Sequence, residues 1–71
     1  MNNHPQLLHV VALVEDLPEE KLVRGQVGTV VELLDDEHFE IEFSDDHGRT
    51  YALVSLAVPQ LLVLHHAPVA S

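Results

Sequence analysis

Arg24-Gly25-Gln26-Val27-Gly28-Thr29-Val30-Val31-Glu32-Leu33-Leu34 is the stretch on which the fold of this chain turns. A glycine at 25 suits a turn that needs positive φ, and a glycine at 28 suits a bulge or a close backbone approach at the start of a strand. The β-branched run that follows ends in the acidic corner Asp35-Asp36-Glu37, so Val27 to Leu34 reads as a strand entered from a turn and left through a hairpin. A phosphate-cradling loop is the competing reading of Gly-x-x-Gly. It fails because the segment leads into a strand, not a helix N-terminus, and has no Lys or Ser/Thr at the required place.

Working outward toward the C-terminus, His38-Phe39-Glu40-Ile41-Glu42-Phe43 alternates strictly, with Phe39, Ile41 and Phe43 on one face and His38, Glu40 and Glu42 on the other. Asp45-Asp46-His47-Gly48 is a tight turn. Arg49 to Leu56 forms the next strand, placing Tyr51, Leu53 and Ser55 opposite Ala52, Val54 and Leu56. Ala57-Val58-Pro59-Gln60 breaks it in about one turn, and Leu61 to Leu64 makes a last short strand.

Toward the N-terminus, Leu7 to Val14 reads as the first strand, with His9 on the parity of Leu7, Val11 and Leu13. The excursion Glu15 to Gly25 is too long for a hairpin. Pro18 followed by Glu19 and Glu20 predicts a single helical turn there, and Leu17 and Leu22 are placed to fold the loop back on the body. Strands in this order, with a long first loop, tight hairpins and a one-turn break before the last strand, predict an all-β fold. The architecture expected is a small five-stranded SH3-like antiparallel barrel, and an open meander is the alternative. The expected organisation is a flexible N-terminus over residues 1–6, the barrel over 7–64 and a flexible tail over 65–71.

The chain has 71 residues, enough for one domain near the lower limit at which a core offsets chain entropy. It has no cysteine, hence no disulfide, thiolate ligand or thiol nucleophile. The N-terminus lacks a basic n-region and an apolar h-region, and no apolar run is long enough to cross a bilayer, so a cytoplasmic protein is expected. The formal charge is −9, from 12 acids against Lys21, Arg24 and Arg49. That balance repels phosphate backbones and argues against nucleic-acid binding, while favouring encounter with basic proteins.

The segments Val11-Ala12-Leu13, Asp16-Leu17-Pro18, Arg24 to Glu32, Phe39 to Phe43 and Gly48-Arg49-Thr50-Tyr51-Ala52-Leu53 closely resemble the small bacterial proteins grouped as domain of unknown function 4926. The resemblance spans Leu7 to Leu64 and implies a stand-alone SH3-like barrel. It carries no catalytic residue to these positions. An accessory or antitoxin-like role beside a partner encoded nearby is the associational expectation that comes with it.

Candidate chemistry is sparse. Asp45 and His47 in the second turn, with His65 and His66 in the tail, are the candidate metal ligands, and a metal- or small-ligand-binding role for them is the alternative function. Adjacent histidines on a strand point to opposite faces, so His65 and His66 are poorly placed to chelate one ion. Glu40 and Glu42 share a face but flank core positions in strict alternation, which is the pattern of a solvated sheet face, not of an acid–base pair. Ser44, Ser55 and Ser71 lie in no nucleophile elbow. With Phe39 and Phe43 sent to the core, there are too few aromatics for a proline-motif groove. No catalytic residue and no cofactor is expected.

One asymmetry stands out. All 12 acids lie between Glu15 and Asp46, and no charged residue follows Arg49. Uncharged strands on so small a barrel leave apolar surface for a partner. The expected interaction surface is Tyr51, Leu53, Val54, Leu56, Leu61 and Val63, used for self-association as a homo-oligomer or for a basic protein partner steered in by the acidic loops.

Overall fold

The computed structural model describes residues 4–64. Five strands are present among these residues: β1 (Val10–Leu13), β2 (Val27–Leu33), β3 (His38–Ser44), β4 (Thr50–Ala57) and β5 (Leu61–Val63). Short 3₁₀ turns occupy Pro18–Glu20, in the loop between β1 and β2, and Val58–Gln60, between β4 and β5. All pairings are antiparallel, in one sheet of order β4-β3-β2-β1-β5. A plain meander would leave β5 beside β4. Here the Val58–Gln60 turn carries the chain across to β1, where Val11 pairs with Val63 and Leu13 with Leu61. This is the SH3-like connectivity, with β4 and β5 as the two edges.

The register explains the core. Phe39, Ile41 and Phe43 face inward beside Leu56, Val54 and Ala52, with Val30 opposite Ile41. Val11, Leu13, Leu22, Val30, Phe39, Ile41, Phe43 and Leu56 form one buried cluster. Each such side chain contributes about 1.5–3 kcal/mol by leaving water. Val54, Leu61 and Val63 pack against the cluster and stay partly exposed.

Gly28 sits in β2 where a Cβ would lie 2.7 Å from Ile41 Cγ2 and 2.9 Å from the Glu42 carbonyl oxygen, so close backbone approach is its role. Gly25 and Gly48 take φ of +93° and +78° in the turns before β2 and β4. A bulge between Val30 and Glu32 bends β2, and a second between Phe43 and Ser44 offsets the first residues of β4.

The first strand is shorter than the apolar run Leu7 to Val14 predicts. Gln6 and His9 close a turn through His9 N–H to Gln6 O at 2.9 Å, Leu8 takes φ 69°, and the ladder starts at Val10. Leu7 and Leu8 therefore point to water, Leu8 at 70% exposure. Pro5 is fully buried, and the His4 ring meets Phe39 edge-on at 5.4 Å.

Candidate functional site

The long first loop is a built element. Leu17 and Leu22 exchange backbone hydrogen bonds at 2.9 and 3.1 Å, closing the loop on itself, and Leu22 enters the core while Leu17 packs at its margin. Pro18 opens the 3₁₀ turn and Lys21 ends it at φ 60°. The Asp16 carboxylate accepts from Arg24 N–H at 2.8 Å, and Gly25 N–H donates to Leu13 O at 2.8 Å, pinning the loop's return to the end of β1. Glu15 accepts from Gln60 Nε2 at 3.2 Å, which ties the loop's start to the second 3₁₀ turn.

Between this loop and β4 lies a groove of about 330 Å³. Its apolar lining comes from Leu17, Val54 and Leu56, and Asp16, Glu19 and Glu20 stand on the loop side. Ser55 and Gln60 complete the β4 side. Glu19 and Glu20 are exposed and form no ion pair among the described residues. The groove thus joins an apolar floor to unneutralised carboxylates, facing a strand that has no charge of its own.

The residues expected to form an interaction surface divide between two faces. Tyr51 and Leu53 stand on the outer face of β4 at 50% and 56% exposure. Leu56 is a core residue at 3% exposure, because its register with Phe39 turns it inward; it offers a partner little more than a sliver of groove floor. Val54, Leu61 and Val63 share that inward parity and are half-buried. Exposed apolar residues that the composition argument passed over, Leu62 and Val27, flank Ala12 in one cross-strand row on the outer face of β5, β1 and β2.

Asp45 and His47 sit in the turn, where the Asp45 carboxylate accepts from His47 N–H at 2.8 Å and Arg49 N–H at 3.0 Å. That carboxylate shapes the turn. His65 and His66 lie outside the described residues. Among the described residues no group of three or more His, Asp or Glu side chains is arranged to hold a metal ion. Glu40 and Glu42 lie on the outer face, where Glu42 accepts from the Thr50 hydroxyl at 2.6 Å. No helix among the described residues is long and apolar enough to cross a membrane.

The family model described as a domain of unknown function, DUF4926, matches residues 7–63, from the turn before β1 through the last residue of β5. The chain belongs to the DUF4926 family. No curated protein and no solved structure matches it. Within this DUF4926 domain the groove draws on elements that sequence reading treats separately: an acidic loop and an uncharged strand well apart in the chain. Asp16, Glu19 and Glu20 were legible as charges, and Leu17 as a loop anchor. Their place beside Val54 and Ser55 follows only from the way the loop folds back.

Proposed function

We propose that this chain is a non-enzymatic protein-interaction module that receives a basic partner in the groove between the first loop and β4. The observation that carries the reading is the union of the Leu17, Val54 and Leu56 floor with the carboxylates of Asp16, Glu19 and Glu20, none of them in an ion pair among the described residues. Apolar floor supplies contact area once water is displaced, and the carboxylates select the sign of the partner and speed its approach. The net charge of −9 acts in the same direction over longer range.

The experiment is calorimetric titration with short peptides that share an apolar pattern and differ in charge, one set carrying lysine and the other glutamate. Binding is expected for the cationic set alone, weakening as salt rises, and lost in a Glu19→Lys/Glu20→Lys variant. Equal binding of both sets, or binding that ignores the double variant, would overturn the reading.

A further inference from the structure

We infer that the groove takes its partner as an added β-strand on the free edge of β4, an extended basic segment paired through the backbone of Leu53 and Ser55; the inference rests on the interaction reading above.

Hydrogen-bond parity identifies the free groups. Val58 N–H donates to Glu37 O at 3.0 Å, and the same register continues through Phe39–Leu56, Ile41–Val54 and Phe43–Ala52. In an antiparallel ladder, bonded pairs recur at every second residue. Ala52, Val54 and Leu56 therefore bond to β3, while Leu53, Ser55 and Ala57 turn their N–H and C=O groups to the other side. Ala57 supports this parity independently, since its N–H is taken by Gln60 Oε1 at 2.8 Å. Leu53 and Ser55 have no backbone bond outside the ladder among the described residues.

Edge strands are ordinarily blunted by brevity, charge, proline or a bulge, because an open row of amides recruits other strands. The β5 edge is short, at three residues. β4 has eight residues without a charge or a proline, and its only bulge lies at the Phe43/Ser44 step, leaving Ala52 to Ala57 in unbroken register. Ser55 of this open row also lines the groove, so the free edge and the acid-walled cleft are one place.

Charge selects the occupant. A second copy adding through the same strand would bring another acidic chain of formal charge −9 against this one. A segment alternating apolar and basic residues instead sets apolar side chains beside Val54 and Leu56 and lets long cationic ones reach Asp16, Glu19 and Glu20. Main-chain bonds then give affinity and side chains give selection, as in other strand-addition complexes.

The probe is a capped peptide alternating valine and lysine over the length of β4, followed by amide chemical shifts of the labelled protein. Amides of Leu53 and Ser55 and those of Leu17, Glu19 and Glu20 are expected to move. N-methylating alternate peptide amides, which keeps charge and side chains, is expected to weaken binding about tenfold or more. Ser55→Pro should do the same, since proline on an edge strand removes an outward N–H without breaking the inner ladder. If the peptide binds and N-methylation at either parity changes nothing, the strand-addition inference is wrong and the interaction reading stands. Should neither the lysine peptide nor its N-methylated forms bind at all, the interaction reading itself fails. A chain that sediments as a dimer with the Leu53 and Ser55 amides protected from exchange would show that a second copy holds the edge, and would also overturn the inference.

Discussion

Gln26 Nε2 donates to the Tyr51 hydroxyl at 3.0 Å, joining the entry of β2 to the bulged start of β4 although β3 lies between them. The same side chain accepts from Val23 N–H at 2.6 Å, and the Tyr51 ring stands 6.4 Å from Phe43. One glutamine thus links the return of the first loop, the sheet and the strand that borders the groove. It also means that Tyr51, half-exposed as it is, is engaged in the fold itself.

Tyr51→Phe keeps the ring and removes only the hydroxyl, leaving Gln26 to bond water. The expected loss is about 0.5–1 kcal/mol, at the low end for a hydrogen bond because the site is open to solvent. Gln26→Ala also releases Val23 N–H and should cost more. Urea denaturation midpoints of the two variants check the order.

Gly28→Ala should be the most damaging glycine substitution. A Cβ at 28 would lie 2.9 Å from the Glu42 carbonyl oxygen, and backbone cannot move aside as a side-chain tip can. Overpacking of this kind costs about 1–3 kcal/mol. Gly25→Ala meets no atom within 4 Å and loses only the ease of positive φ, about 1 kcal/mol. Thermal unfolding of both variants distinguishes steric from conformational need.

Strand order, both 3₁₀ breaks and the inward parity of β3 were legible because alternation and turn residues act locally, whereas β4, apolar on both faces, did not show which face turns inward. Phe39, Ile41 and Phe43 are buried as their spacing requires, and Pro18 opens its turn as its fixed φ allows. Leu7 and Leu8 misled because hydrophobicity alone cannot show where a ladder starts; the turn closed by Gln6 and His9 decides that. The groove was hidden for a different reason. Its two walls meet only through the Leu17–Leu22 closure and the Glu15–Gln60 bond, which no local pattern announces.

Glu32 and Glu40 are direct cross-strand partners between β2 and β3, with no cation in ion-pair contact among the described residues. Like charges placed opposite each other oppose pairing. Glu32→Lys converts the pair to an attractive one and should stabilise the domain by about 0.2–1 kcal/mol, an increment that shrinks at high salt. Denaturation at two ionic strengths tests both the sign and the screening.

Asp35 gives the domain an acid-labile contribution. Its carboxylate accepts from Glu37 N–H at 2.8 Å and meets His38 Nδ1 at 2.9 Å, and these contacts, the backbone bond foremost, hold its pKa below the ordinary 3.8. A depressed pKa in the folded state adds stability above the unfolded value, and that stability fades as pH falls through the folded pKa. Asp35→Asn should therefore flatten the loss of stability below about pH 4 while changing little of its slope near neutrality. Carbon-detected titration of the Asp35 carboxyl, with melting followed across the same range, would show a pKa at or above 3.8 if the turn does not hold it.

Leu53 and Leu56 lie on the same strand and differ in kind. Leu56 is opposite Phe39 inside the cluster, at 3% exposure; Leu53 is opposite Glu42 on the outer face, at 56%. Truncating a buried leucine costs about 2–5 kcal/mol, a large share of the 5–15 kcal/mol that holds a typical small domain together. Leu56→Ala should therefore lower the melting temperature sharply, and Leu56→Asp should leave no folded population. Leu53→Asp buries nothing and should melt within a few degrees of the parent. It also sets a carboxylate beside Glu42 on the partner-facing strand, so binding of a basic segment through the backbone of residues 53 and 55 should survive the change. A collapse of Leu53→Asp on melting would mean that the outer face of β4 is covered, and the groove would then have to be reconsidered from its edge inward.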